Sequence, residues 1–393
     1  TQVKTIDLEL QRMDAQEAQE HLQIVKLFLP ESYSQDKNSV LALLRFRRLA
    51  FKANLLHGFV KDRLAGQPVP GHEDDMFACC DALDKLTWVS SMCDRFVNAI
   101  SHCSLEEFAK YEGALFELEP VERALNGWID GLRRDELKEK QCATELSRTI
   151  ALMTHLGEVH ISDGLESFAD DVQMKTVLMQ SQLESAATAF HVIKDMIQRV
   201  VPANNDEDEL SQHFARKIEA VVSQTRSAKV IVGKAVRSLE DLRARQLSLT
   251  TECSDAFEQC ETATQELAEM ACKIGLDLHA LTAEEGRTEP LSYADIQHAV
   301  GDTMMAAFSS SEADLFATYF AKLRTLTNLI TDLAAVCGDL SQTQEFDRSQ
   351  EPWILRAQEL KALKTIPVDA EEELRHLKEQ YNEARRVIAS RDE

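Results

Sequence analysis

The sequence predicts an all-α fold: an elongated, spectrin-like helical-bundle body inserted between two truncated coiled-coil segments. Three observations carry this reading. Apolar residues recur at about 3.5 to 3.6 positions along nearly the whole chain, the period of one helix face. The period-two alternation of half-buried strands is nearly absent. Turn residues are scarce, with 13 glycines and 8 prolines in 393 residues, about half of average usage, so the elements should be long.

The first element is a heptad seam through Val3, Ile6, Leu10, Met13, Glu17, Glu20, Ile24 and Leu27, polar at its middle pair. Pro30 biases Leu29 away from the helix and should stop the seam, so residues 1–28 read as the end of a coiled coil. Helices of ordinary length follow. Val40, Leu44, Phe51, Leu55 and Phe59 mark one buried face, and Leu83, Leu86, Cys93, Val97 and Ile100 mark another, with Gly66-Gln67-Pro68-Val69-Pro70-Gly71 as the loop between them. Ser104 with Glu107 reads as a capping box that starts a helix near 105. Pro120 opens another helix, which buries Val121, Leu125, Trp128 and Leu132. A narrow seam then runs through Met179, Leu183, Ala186, Phe190, Ile193 and Ile197, and residues 29–201 read as one helical globular subdomain.

Pro202-Ala203-Asn204-Asn205 and the acids at 206–209 mark the clearest boundary, because a helix breaker precedes charges that favour a helix N-terminus. Beyond it one 3.5-residue register persists from Phe214 to Ile274. It places small residues at 228, 235, 256 and 263 for close helix approach. One continuous helix over 207–281, about 110 Å long, is the favoured reading; a fold at Ser248-Leu249-Thr250-Thr251 would make a hairpin instead. Thr282–Pro290 is a loop. Ser292 with Asp295 caps the next helix, and Ser311 with Asp314 caps another running to about 341. Residues 202–351 thus read as a long-helix bundle. Pro352 and Pro367 break the chain before a second heptad seam through Leu374, Leu377, Tyr381, Ala384 and Ile388, so 352–393 reads as the start of a second coiled coil. Neither seam reaches the three to four heptads that stand alone, and the natural protein is expected to extend both ways.

Charge and chemistry exclude most functions. The net charge of −24 repels phosphate backbones and argues against nucleic acid and against direct binding to an acidic microtubule surface. No apolar run approaches a membrane span, so the chain is expected to be soluble, with no membrane insertion. Nine scattered cysteines, without a CxxC pair, suggest neither disulfides nor zinc and point to a reduced cytosol. Phosphate loops, GxSxG elbows, HExxH pairs and calcium loops are missing from the sequence, so no enzyme activity, cofactor or metal is expected. Asp295-x-x-His298 reads as cap chemistry beside a half-buried histidine, and Glu373-x-x-His376 as a solvated heptad face. Cys79-Cys80 and the three tryptophans read as core packing. Arg45, Arg47 and Arg48, interleaved with Phe46, would meet either an acidic partner or the chain's own acids.

Leu29-Pro30-Glu31-Ser32-Tyr33-Ser34, directly after a coiled-coil end and followed by Val40-Leu41-Ala42-Leu43-Leu44 and Lys52-Ala53-Asn54-Leu55-Leu56, resembles the dynein-associated domain of the dynactin large-subunit (Glued) family. Beyond about residue 135 the resemblance is architectural. It implies a non-catalytic structural and interaction module in the arm of a dynein-activating complex, serving microtubule-based cargo transport in the cytoplasm. The implied partners are dynein, other dynactin subunits and cargo adaptors, with homodimerisation through the flanking coiled coils. Under it Leu29, Pro30, Glu31, Ser32 and Tyr33 form the structural junction. Pro30 and Pro352 would let each coil leave the body at an angle, making the body a spacer and an autoinhibitory head. Helical periodicity alone equally permits a cytoskeletal scaffold or vesicle-tethering subunit unrelated to dynein.

Overall fold

The computed structural model describes residues 2–28, 30–66, 69–202, 208–311, 316–362 and 370–392. It is all-α apart from one two-stranded sheet among these residues. The chain divides into two compact units: residues 1–59, 86–167 and 347–393 form the first, and 60–85 and 168–346 the second. Three of the four cuts, at 59/60, 85/86 and 167/168, fall inside helices, where no proline or run of charge marks them, and the fourth, at 346/347, follows the last strand. Sequence punctuation therefore suggested other boundaries, at 202 and 352. No described helix is long and apolar enough to cross a membrane.

The first unit draws on α1 (Gln2–Val25), α2 (Pro30–Ala65), α3 (Glu73–His102), α4 (Leu105–Lys110), α5 (Glu112–Glu117), α6 (Glu119–Arg133) and α7 (Glu139–His160). α13 (Pro352–Ala362) and α14 (Ala370–Asp392) complete it. Helix α2 is buried on several sides, through Leu43, Leu44, Phe46, Leu49, Ala53 and Leu56, rather than along the single face expected. Phe46 stacks on Phe96 of α3 with centroids 4.3 Å apart. Gly157 of α7 lies where an added Cβ would meet Met92 and Phe96. Ser104 caps α4, accepting from the Glu107 amide, and α6 starts around Pro120 with Val121, Leu125, Trp128 and Leu132 buried, both as the sequence indicates. Trp128 donates Nε1–H to Glu145 at 2.9 Å, so this buried tryptophan has its polar partner. Pro352 opens α13 rather than only breaking the chain. Trp353 is buried in that helix and packs near Phe108, so 352–362 belongs to the packed unit and is not coiled-coil seam.

The second unit contains most of α8 (Leu165–Val200), then α9 (Asp208–Ala244), β1 (Leu247–Leu249), α10 (Ser254–Thr282), α11 (Tyr293–Phe308), α12 (Ala317–Cys337) and β2 (Thr343–Glu345). The continuous helix favoured for 207–281 is not formed. Gln246 takes a left-handed conformation (φ 55°), β1 pairs antiparallel with β2 in the register Leu247↔Glu345 and Leu249↔Thr343, and a 3₁₀ turn at Thr251–Cys253 leads into α10. The bonds of this short ladder satisfy backbone groups that the helix break exposes. Past the break the expected seam positions Cys260, Leu267, Met270 and Ile274 stay buried, and only the small-residue positions differ. Ala228 and Ala235 are buried as expected, but Ala256 is exposed, Ala263 half-buried, and Phe257 and Thr264 fill the core.

Helices α8 and α9 run antiparallel, with Lys194 paired to Glu219 (2.8 Å), Lys229 to Glu184 (3.0 Å) and Arg243 to Asp170 (2.8 Å). Met179, Leu183, Ala186, Phe190, Ile193 and Ile197 are all buried, within a wider apolar surface than a narrow seam. Phe190 makes edge contacts with Phe316 and Tyr319, and the Tyr319 hydroxyl pairs with Thr225 at 2.8 Å. Ser292 and Asp295 form the expected capping box of α11. Helix α12 ends at Cys337, short of 341. Asp314, expected to cap it with Ser311, lies outside the described residues, as do Asp206, Glu207 and Pro367. His298 is exposed and lies 3.5 Å from Asp302, not half-buried as expected.

Candidate functional site: the junction of the terminal helices

The two heptad segments meet each other. Helices α1 and α14 pack together within the first unit. They run antiparallel, since the Gln11 side-chain amide lies 3.2 and 3.3 Å from the Arg391 guanidinium while Glu373 lies close enough to Tyr33 to act on its hydroxyl. Of the seam residues, Ile6, Met13, Ile24 and Leu377 are buried, and Leu10, Leu374, Tyr381 and Ile388 are half-buried. Arg385 sits over the Tyr381 ring at 5.8 Å. The apolar stripes read as ends of two separate coils thus cover one another within one chain.

The polar middle of the first seam has a different partner. Glu17 accepts from Arg48 at 2.6 Å and Glu20 from Arg47 at 2.7 Å, so these positions turn toward α2. Of the motif residues, Leu29 lies outside the described residues. Pro30 begins α2, a position where its missing N–H costs nothing, and the side chains of Pro30, Glu31 and Ser32 are outside the description. Tyr33 is the one motif side chain placed, and it is 2% exposed. Its hydroxyl lies 2.5 Å from His21 Nε2, and its ring meets Phe28 edge-on at 5.8 Å. Burial, reinforced by Glu373, pushes the Tyr33 hydroxyl upward, so it stays protonated and can donate to His21. Burial, with Lys37 adding repulsion, lowers His21 to about 4. One turn further along α2, buried Asp36 accepts from Arg356 of α13 at 2.9 Å. Helices α1, α2, α13 and α14 are therefore tied together around the start of α2.

The arginine cluster meets the chain's own acids. Glu122 of α6 accepts from Arg45 Nε (3.1 Å), from Arg48 through both Nε and one terminal nitrogen (2.9 Å each), and from Lys52 Nζ (3.0 Å). Arg45 also donates to the Leu115 carbonyl. Burial alone would raise the Glu122 carboxyl, but the hydrogen bonds and charges of Arg48 and Lys52 overcome it and hold the group at about 2. Burial instead dominates at Asp14 and Glu17 and raises both. Arg45 and Arg48 are mostly covered, and Arg47 is about half-exposed. Of the two readings of the cluster, the internal network is the one the structure shows. A carboxylate on α6 two residues past Pro120 gave no sequence signal of its role, because its cations lie seventy or more positions away.

The remaining titratable groups do not assemble into a reactive centre among the described residues. All nine cysteines are free. Burial raises the Cys80 and Cys93 thiols well above their ordinary value and moves Cys272 to about 12, which makes them inert core groups. His102 Nδ1 contacts the Ser349 carbonyl at 2.9 Å. A groove of about 440 Å³ on the α8–α9 surface, floored by Ile218 and Val222 and edged by Lys194, Glu219 and Arg226, mixes both signs of charge.

A family model for dynactin, described as dynein associated protein, matches residues 1–239, taking in the α1–α2 junction and the Glu122 network. Dynactin subunit 1 of Xenopus laevis is 25% identical over 192 residues, covering 46% of this chain and 16% of that protein. Dynactin subunit 1 of Gallus gallus is 25% identical over 193 residues, with 46% and 16% covered. The Drosophila melanogaster protein of that name is 22% identical over 242 residues, with 58% and 19% covered. The chain spans less than a fifth of the length of these relatives. Its match to the family model over more than half of its residues, including the junction built on Pro30 and Tyr33, makes this chain a member of the dynactin family.

Proposed function

We propose that this chain is a non-catalytic interaction and spacer module of a dynein-activating complex, acting in microtubule-based cargo transport in the cytoplasm. The carrying observation is the family match over residues 1–239. Dynein, the remaining dynactin subunits and cargo adaptors are its partners. The antiparallel α1–α14 pair supports the spacer role: coiled coils continued from either helix would leave the body side by side, and a neighbouring coil could fold back on it as an autoinhibitory contact. Because Ile6, Met13, Ile24 and Leu377 are already covered within one chain, homodimerisation falls to such continued coils, not to these seam positions. The test is affinity capture from cytosol of the source organism, using this chain as bait and mass spectrometry as readout. Enrichment of dynein and dynactin subunits is expected; their absence alongside recovery of actin-scaffold or tethering proteins would overturn the reading.

A further inference from the structure

Acids outnumber cations in this chain, 67 Asp and Glu against 43 Lys and Arg, yet one face of the second unit reverses that balance. Helix α9 has no acid between Glu219 and Glu240 but carries Arg226, Lys229, Lys234 and Arg237, and α8, antiparallel to it, has none between Asp171 and Glu184. Arg226, Val230, Lys234 and Arg237 are all exposed. They follow one another at steps of three or four residues and so share one side of the helix. Val230, at 59% exposure, also lines the groove floored by Ile218 and Val222, so the cationic stripe and the apolar groove are continuous.

We propose that this groove and stripe dock an acidic amphipathic helix of a partner protein. Charge selects the occupant. Among the described residues, Lys234 and Arg237 have no acid within ion-pair distance. Arg226 and Lys229 share the single carboxylate of Glu184, at 3.5 and 3.0 Å, which leaves one positive charge in excess, whereas Lys194 is already neutralised by Glu219 at 2.8 Å. Exposed charges of this kind choose and steer a partner more than they hold it; apolar contact must supply the rest. From Ile218 to Val230 the groove follows about 18 Å of helix at 1.5 Å per residue. A partner helix of three or four turns laid along it would set one apolar stripe on Ile218, Val222 and Val230, with acids on its flank toward Arg226, Lys234 and Arg237. A phosphate backbone would leave the isoleucine and valine floor unused, and Glu184 and Glu219 at its edge would repel an anionic membrane. The inference is independent of which complex the chain serves.

The test is methyl NMR on the full chain with two synthetic amphipathic peptides of about 18 residues, both with leucines along one face, one with glutamates elsewhere and the other with lysines. The glutamate peptide should shift the Ile218, Val222 and Val230 methyl signals, in a salt-sensitive way, and the lysine peptide should not. Lys234→Glu combined with Arg237→Glu should weaken binding at least about tenfold, and Val230→Asp as much. Glu219→Gln, which frees Lys194, should tighten it about two- to fivefold. These side chains are all exposed, and circular dichroism verifies that the variants fold. No shift at millimolar peptide, equal shifts from both peptides, or affinity unchanged in the double variant would overturn the proposal. So would the same shifts on raising the concentration of the chain alone, which would make the occupant a second copy, or a stronger response to phosphatidylserine vesicles than to the peptide.

Discussion

Replacing Glu122 with glutamine tests the arginine network most sharply. The carboxylate is the common acceptor for Arg45, Arg48 and Lys52, and all four side chains are 18% exposed or less. The carboxyl is held at about 2 against an ordinary 4.5, and at about 1.4 kcal/mol per pKa unit this corresponds to roughly 3 kcal/mol. Removing one partner from a buried ion pair costs about 3–5 kcal/mol, so the two routes agree. The folded value lies below the unfolded one, so the stabilisation is fully present above pH 4.5 and is lost as pH falls toward 2. Urea unfolding of Glu122→Gln and wild type, followed by circular dichroism, should show a deficit of about 3 kcal/mol at pH 7 that shrinks below pH 4.5. A deficit under about 1 kcal/mol at pH 7, or one independent of pH down to 3, would refute the reasoning.

Other expectations follow from single contacts. His21, lowered to about 4 from 6.5, favours its neutral form, so it contributes stability above pH 6.5 that is lost as pH falls toward 4. Discounting for its partial exposure, this is roughly 2 kcal/mol, and NMR titration should find its ring neutral at pH 5. Asp84 accepts hydroxyl bonds from Ser181 and Ser185 at 2.7 and 2.8 Å, and burial raises its carboxyl to about 7. The folded value exceeds the unfolded one, so stability is lost as pH rises from about 4 through 7, and Asp84→Asn should flatten the thermal-melting profile over that range. Gly275→Ala would set a Cβ 2.4 Å from the buried Phe77 ring and should cost about 1–3 kcal/mol. Gly157→Ala would crowd only the far end of the flexible Met92 side chain, the Phe96 contact at 3.8 Å being ordinary, so thermal melting should show it close to neutral.

The sequence revealed what local physics dictates. Helical period and scarce turn residues gave the all-α class, and Ser104, Pro120 and Ser292 marked helix starts because caps act on backbone groups within a few positions. The break in 207–281 was hidden because it depends on a strand nearly a hundred residues away and on Gln246 taking a conformation that its side chain does not advertise. The same limit applied to the junction. Ile6 and Leu377 announced themselves as apolar stripes, but a stripe does not specify whether it meets another chain or a distant helix of its own. Glu122 was illegible for that reason as well: it is an ordinary first-turn acid until the fold brings distant cations to it.

The pairing of α1 with α14 inside one chain underlies the proposed geometry of the arm, and cross-linking with an amine-reactive reagent on mixed light- and heavy-isotope protein tests it directly. The antiparallel register, set by Gln11 beside Arg391 and Tyr33 near Glu373, places Lys26 across from Lys378. It leaves Lys4 about twenty residues further along α1, some 30 Å away at 1.5 Å per residue. The account requires Lys26–Lys378 links joining light with light and heavy with heavy only. Lys4–Lys378 links, or Lys26–Lys378 links joining light to heavy chains, would contradict it.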